Sequence, residues 1–426
     1  MTSQLIITLA ILAFMIVMFV WQKFPMGVTT MTCCALLAAF GILSPSEAFG
    51  GFTNNSIILV APMMALSSAI TKTSIVPYIR NKVNSLSGKK GIVLILFFYL
   101  IVIAFVQFIP ATATFSIMIV FLASLSNDGE VTPTRLLMPM LGISCAWKGF
   151  LPIGMGATSF ATINAIYGTI ITDEGYWLGM FDKFRVSILP VVCLTIYCLV
   201  AWKLLPKRGT VNAAEAKEVK ETKTLPKAQE TLVYVVFIAV LAVLNKWTGK
   251  LMYVAPALGV LVLIYGKALS VPEVTKALTA DMIFLMAGVL GVATAMTKSG
   301  AGDLIGNAIL GVLGGHPSSL AVMFLFSTVC IIMTTLMSNS ATSNILYTVG
   351  ATVCLAGGWD PRGIMLIVAI ANVISLGFPS GAAETALIYA AGNYKLSQVA
   401  KFTVPYILIA IVTISLSANF FFPIYG

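Results

Sequence analysis

Charge is what this sequence is short of. Only 9% of its 426 residues are Asp, Glu, Lys or Arg, and one is histidine; a soluble domain carries about 25% charged residues. So little charge cannot clothe a water-facing surface. The basic excess of +10 is spread between apolar runs, so it is no nucleic-acid footprint. Cys33, Cys34, Cys145, Cys193, Cys198, Cys330 and Cys354 lie in or beside apolar runs, with neither CxxC spacing nor a nearby histidine. They read as small packing residues. His316 precedes Pro317 in a Gly-rich loop and reads as a residue without chemistry. An integral membrane enzyme needs a nucleophile with its base, paired carboxylates or metal ligands. One loop histidine and no membrane carboxylate pair argue against that class.

What is abundant is apolar sequence, 59% of the chain, in repeated runs near the ~20 residues that span hydrocarbon. An all-α integral membrane protein follows. The run at 5–20 is followed by Trp21-Gln22-Lys23 and no small-residue cleavage site. It reads as a first span with an interfacial anchor, not a removed signal peptide.

The chain also repeats itself. Thr53 to Thr73 aligns with Thr279 to Ser299 at an offset of 226, Thr112-Ala113-Thr114 with Ser340-Ala341-Thr342 at 228, and Pro152-Ile153-Gly154 with Pro379-Ser380-Gly381 at 227. In a membrane chain, such duplication marks a transporter with its binding site between the halves. Residues 1–205 and 231–426 form the two repeats. The Lys/Glu-alternating stretch 206–230 joins them as a cytoplasmic linker. Each half reads as three spans, a connector, a re-entrant hairpin, a broken span and a last span. In the first half the spans are 5–21, 26–43 and 54–71, with hairpin 91–125, broken span 136–171 and last span 185–204. In the second they are 231–246, 250–266 and 280–297, with hairpin 318–357, broken span 361–392 and last span 400–421.

The hairpins follow from length: ~34 apolar residues make roughly 50 Å of helix, too long for one crossing. Pro110 interrupts the first hairpin, and Ser338-Asn339-Ser340 the second. Five crossings per half invert the two halves. With the N-terminus outside, 18 of the 25 Lys and Arg fall in the cytoplasm and 6 outside, with Lys148 within the membrane. That bias obeys the positive-inside rule and places both termini outside.

Unwound backbone inside a membrane is tolerated only where it faces protein or a water-filled cavity. Four such points occur: the tips 109–114 and 337–342, and the breaks 151–158 and 378–385. Half-helix N-termini there suit a carboxylate or sulfonate, and free carbonyls suit Na⁺. Lys148 and Glu384 are ionisable residues beside the breaks, where a charge costs about 2.5–3.5 kcal/mol. Three readings stand: Lys148 as a fixed cation near the substrate, a buried Lys148–Glu384 pair, or Lys148 snorkelling to the cytoplasmic edge.

Ser338-Asn339-Ser340-Ala341-Thr342 resembles the Ser-Asn-Thr signature of the divalent anion/sodium symporter family within the ion-transporter superfamily. The Leu151-Pro152-Ile153-Gly154 and Phe378-Pro379-Ser380-Gly381 breaks are similar to its Leu-Pro-x-Gly segments. The resemblance implies a homodimer, a scaffold, and a transport domain that moves as an elevator in the inner (cytoplasmic) membrane. It implies a secondary transporter of C4-dicarboxylates, citrate or sulfate, coupled to Na⁺ or run as exchange. Related branches carry Na⁺/H⁺ antiport or oxyanion efflux. The unwound tips and breaks, the membrane charge and the resemblance together make Thr112, Thr114, Lys148, Gly154, Gly156, Thr158, Ser338, Asn339, Ser340, Thr342, Gly381 and Thr385 the substrate-binding candidates. The resemblance points to Thr334, Ser338, Asn339 and Gly377 as Na⁺ ligands, Na⁺ being the coupling ion and no other cofactor implied. One departure matters. The first tip has Pro110-Ala111-Thr112 where the family has Ser-Asn-Thr, so the first Na⁺ site reads as lost or rebuilt.

Overall fold

Proline, glycine and short polar strings divide the apolar sequence into helices. The computed structural model describes residues 3–21, 23–70, 72–74, 91–107, 110–123, 131–152, 156, 159–160, 163–164, 170–171, 173–207, 224–245, 251–301, 304, 311, 317–336, 339–379 and 381–425. Among these there is no strand. The helices of the first half are α1 (Ser3–Trp21), α2 (Met26–Ala39), α3 (Pro45–Ala48), α4 (Asn55–Ile70), α5 (Ile92–Val106), α6 (Ala111–Ala123), α7 (Pro133–Trp147) and α8 (Asp182–Ala201). Those of the second are α9 (Lys227–Asn245), α10 (Leu251–Tyr265), α11 (Val271–Leu278), α12 (Asp281–Ser299), α13 (Ser319–Leu336), α14 (Asn339–Gly357), α15 (Arg362–Ala371), α16 (Ala383–Ala391) and α17 (Leu396–Phe421). The linker's 208–223 and most of both connectors lie outside the described residues.

Among the described residues, the segments Asp182–Leu204, Val271–Ser299, Ser319–Leu336 and Leu396–Phe421 are long and apolar enough to cross a membrane. The chain is a multi-pass membrane protein, its described residues forming helices and no strand. Two short helices, α3 and α11, occupy the intervals between spans 26–43 and 54–71 and between spans 250–266 and 280–297. Each opens on a capping box, Ser44 with Glu47 and Ser270 with Glu273, in which the serine and the glutamate three residues on satisfy each other's orphan N–H groups.

Packing repeats along the chain. α2 lies along α12 and α10 along α4; α5 packs on α7 and α13 on α15; α7 on α8 and α15 on α17. The α2–α12 contact is close because small residues line it. A Cβ on Gly288 would sit 2.4 Å from Thr30, and one on Gly291 2.3 Å from the Ala48 carbonyl. The seam also carries polar links. Gly27 N–H donates to Asp281 at 3.0 Å, and Thr30 Oγ1 to the Phe284 carbonyl at 3.2 Å. Two ion pairs tie the halves together: Lys72 with Glu273 at 2.5 Å, and Lys298 with Glu47.

Around α7, α8 and α17, buried tyrosines bond to backbone carbonyls: Tyr99 to Cys198 at 2.9 Å, Tyr406 to Gly142 at 2.7 Å. The helix pair α13–α14 starts and ends at one place. Ile424 N–H donates to Ser319 Oγ at 3.1 Å, and its carbonyl accepts from Asp360 N–H at 2.9 Å. A single long crossing would hold those two residues far apart; a helix–turn–helix brings them together.

Candidate functional site

The first break is where α7 stops. Trp147 is its last helical residue, Lys148 leaves with ψ 113°, and Gly149 turns the chain at φ +66°. That left-handed conformation suits a residue without Cβ. Aromatic rings hold the turn: Phe150 lies 5.0 Å from Trp147 and 4.7 Å from Phe184 on α8, centroid to centroid. Trp147 Nε1 donates to Thr195 Oγ1 at 3.0 Å. Gln107, at the end of α5, donates from Nε2 to the Trp147 carbonyl at 2.8 Å and is 2% exposed. The first tip is thereby tied to the first break.

Lys148 reaches the opposite half. Its Nζ lies 3.2 Å from Glu384 Oε1, with the side chains 23% and 13% exposed. Of the three readings open from sequence, the pair is the one that the geometry carries. Glu384 stands in the first turn of α16, which packs on both α6 and α7. The carboxylate is thus favoured by the helix dipole as well as by the lysine.

Lys183 is the residue that sequence reasoning passes over. It lies in the first turn of α8 and is one of the six Lys and Arg that the charge count puts outside. Its Nζ instead turns into the first break, 3.3 Å from Ser159 Oγ and 3.0 Å from where a Cβ on Gly149 would stand.

The second tip and second break meet. Thr334, fully buried near the end of α13, places Oγ1 2.7 Å from Asn339 Oδ1 and in contact with the Asn372 carbonyl. Gly381 packs against the Thr334 and Thr335 carbonyls, where a Cβ would come within 2.8 and 3.1 Å. Thr385 is buried and donates to the Ser375 carbonyl at 3.1 Å; Tyr389 donates to the Gly377 carbonyl at 3.0 Å. Both thus brace the break from within. Ser340 uses its carbonyl to accept from Ser343 and Asn344, at 3.0 and 2.8 Å. Thr342 Oγ1, Asn344 Oδ1 and Asn372 Oδ1 are buried with no hydrogen-bond partner among the described residues.

At the first tip, Thr112 is half-buried and Thr114 donates to the Pro110 carbonyl at 3.3 Å. Gly156 is buried against the Leu151 carbonyl. Ser338, Gly154 and Thr158 lie outside the described residues. Asn372 was missed in sequence, although a lone amide between Ile370 and Ile374 is a polar residue in an apolar span and so a signal.

Residues 16–371 match the model of the citrate transporter family, CitMHS. The chain belongs to that family. The family is one of secondary transporters rather than enzymes, in line with the resemblance to the divalent anion/sodium symporters. The chain is 21% identical over 419 residues to an uncharacterized transporter of Haemophilus influenzae, covering 96% of this chain and 90% of that one. It is 26% identical over 221 residues to an uncharacterized transporter of Synechocystis, 51% of this chain but 36% of the relative. A 151-residue stretch is 25% identical to the sodium-dependent dicarboxylate transporter SdcS of Staphylococcus saprophyticus, 35% of this chain and 29% of SdcS. Among solved structures, the YdaH transporter of Alcanivorax borkumensis shares the fold, with a TM-score of 0.58 at 14% identity over 96% of this chain and 98% of that one.

Proposed function

We propose that the chain carries a small di- or tricarboxylate across the cytoplasmic membrane by alternating access, coupled to a cation held at the second tip. Sulfate or a sulfonate is the neighbouring substrate choice. The observation that carries this reading is the oxygen cluster at Thr334. A hydroxyl has one hydrogen to give, yet Thr334 Oγ1 faces both Asn339 Oδ1 and the Asn372 carbonyl. Three further buried oxygens, on Thr342, Asn344 and Asn372, have no partner among the described residues. Such groups cost free energy unless something meets them. A hard cation takes oxygen ligands, and unwound backbone at broken helices is where transporters bind their coupling Na⁺. Thr334 and Asn339 lie in that cluster, with Gly377 in the adjoining break; Ser338 belongs to the same tip by sequence.

Among the described residues, the first tip does not repeat this cluster. At the tips' offset of 228, the positions of Thr334 and Asn339 are taken by Val106 and Ala111, and at the breaks' offset of 227 that of Asn372 is taken by Cys145. Gln107 gives its amide nitrogen to the Trp147 carbonyl, and its Oε1 is one buried oxygen without a partner among the described residues, with no threonine–asparagine contact beside it like that of Thr334 and Asn339. The reading is therefore one cation site and not two.

An inverted duplication of five crossings per half is supported by the ion pairs. Lys72 counts among the cytoplasmic Lys and Arg and Lys298 among the external ones; the spans read from sequence put their partners Glu273 and Glu47 on the same respective sides. The elevator motion, the homodimer and both termini outside remain part of the same proposal, carried over from the resemblance and the charge bias.

The test is uptake into proteoliposomes of citrate, succinate and sulfate, with and without Na⁺ and a pH gradient. Asn339→Ala should abolish Na⁺-stimulated uptake while expression holds. Unchanged kinetics in that variant removes the cation site.

A further inference from the structure

We infer that Lys183 is the fixed positive charge that receives the transported anion at the first break. This rests on the anion-carrier reading above and deepens it. The sequence alone offers that role to Lys148, but Lys148 is already matched by Glu384 at 3.2 Å. A lysine whose charge is balanced by a neighbouring carboxylate has less to offer an arriving anion.

Lys183 is in the opposite condition. Among the described residues, no carboxylate lies within ion-pair distance of it. Its chain neighbour Asp182 is committed elsewhere, accepting from Gly179 N–H at 2.6 Å and pairing with Arg185 at 3.5 Å. What meets the ammonium is a neutral hydroxyl, Ser159 Oγ at 3.3 Å. One hydroxyl does not neutralise a cation withdrawn from water, so the site is electrostatically incomplete and favours an anion.

The surroundings fit a small anionic head group. Phe184, next in the chain, packs on Phe150 with its ring tilted by 37° and fixes the start of α8 against the end of α7, so the lysine is held toward the break. Gly149 and Gly156 form the facing wall, and the backbones there approach closely; a Cβ on Gly149 would stand 3.5 Å from Gly156 Cα and 3.0 Å from the ammonium. A side chain at 149 would occupy the space in front of the charge. Lys183, the Ser159 hydroxyl and glycine backbone together suit one carboxylate or sulfonate group: a charge-assisted donor, a neutral donor and room for direct approach.

The experiment uses the full chain in proteoliposomes, with radiolabelled citrate, succinate and sulfate as probes. For whichever anion the wild type carries, Lys183→Gln should raise KM by about tenfold to a hundredfold, the span set by losing a hydrogen bond to a charged group. Lys183→Arg should recover much of that loss, and Vmax should move less than KM. A second measurement needs no variant. Acetylation of wild-type Lys183 by an N-hydroxysuccinimide ester, followed by peptide mass spectrometry, should be slowed by the carried anion, while exposed Lys298 reacts as before. An unchanged KM in Lys183→Gln, or acetylation of Lys183 indifferent to saturating anion, overturns the assignment and leaves the carrier reading standing. A wild type that carries none of the three anions overturns both, and is recognised by that.

Discussion

Lys298 and Glu47 form an ion pair between the two halves, and a second pair repeats it 226 residues away: Lys72 is the counterpart of Lys298, and Glu273 of Glu47. In each pair the glutamate is the N3 residue of a capping box, and the lysine ends the long helix of the other half. The glutamates do two jobs at once. They satisfy the N-terminus of a short helix and hold a lysine from across the seam.

That double use gives a pH dependence. Glu47 is pulled down to about 2 from 4.5, first by the Lys298 hydrogen bond and then by the Ser44 backbone and hydroxyl. A depressed carboxyl contributes stability that is present above its unfolded value and is lost as pH falls through its folded value. The contribution should therefore fade between 4.5 and about 2. Thermal melts of the purified chain across that window should show a shallower acid slope in Lys298→Met than in wild type. Superimposable slopes would mean the pair contributes nothing in solution.

The Lys148–Glu384 pair should respond differently, because it is largely withdrawn from solvent. Glu384→Gln leaves the ammonium without its partner and should cost about 3–5 kcal/mol. Lys148→Met combined with Glu384→Gln should recover most of that loss, because the stranded charge has gone. A double-mutant cycle on thermal stability measures the coupling. A single variant as stable as wild type would show the pair to be solvated.

Close packing of α2 on α12 predicts a steric cost. Gly291→Val places side-chain atoms against the Ala48 carbonyl and Cys34 sulfur, 2.3 and 2.7 Å from where Cβ must go. Backbone cannot yield there, so about 1–3 kcal/mol or more should be lost. Gly50→Ala, which meets nothing within 4 Å, is the control. Equal melting temperatures for the two variants would refute the contact.

Single-cysteine labelling decides the topology. Residues 210–228 should react from the cytoplasmic side, and positions beside Glu47 and near residue 425 from outside. Cytoplasmic labelling at 425 would remove the ten-crossing inverted arrangement.

Much of the helix pattern was legible because apolar length and proline placement act locally. Pro110 sits between α5 and α6 as expected, and the span read at 280–297 is observed at 281–299. Ser44-Pro45-Ser46-Glu47 and Ser270-Val271-Pro272-Glu273 held a signal that the span reading passed over, since Ser-x-x-Glu is a helix start. The site was harder to read for a physical reason. Whether Lys148 faces a substrate, a lipid headgroup or Glu384 depends on a residue 236 positions away. Lys183 looked like an anchor because a span-edge lysine has the same sequence context whether it points outward or inward. The unsatisfied oxygens on Thr342, Asn344 and Asn372 appear only when three helices are assembled.

The two bonds at Ile424 set a mechanical limit on the second tip. Ser319 and Asp360, at opposite ends of α13–α14, are both hydrogen-bonded to that one residue. Spreading the two helices at their base would break both bonds together. A displacement of Thr334 and Asn339 that leaves both bonds intact therefore carries the two arms and Ile424 together as one piece, like a pair of tongs riveted shut.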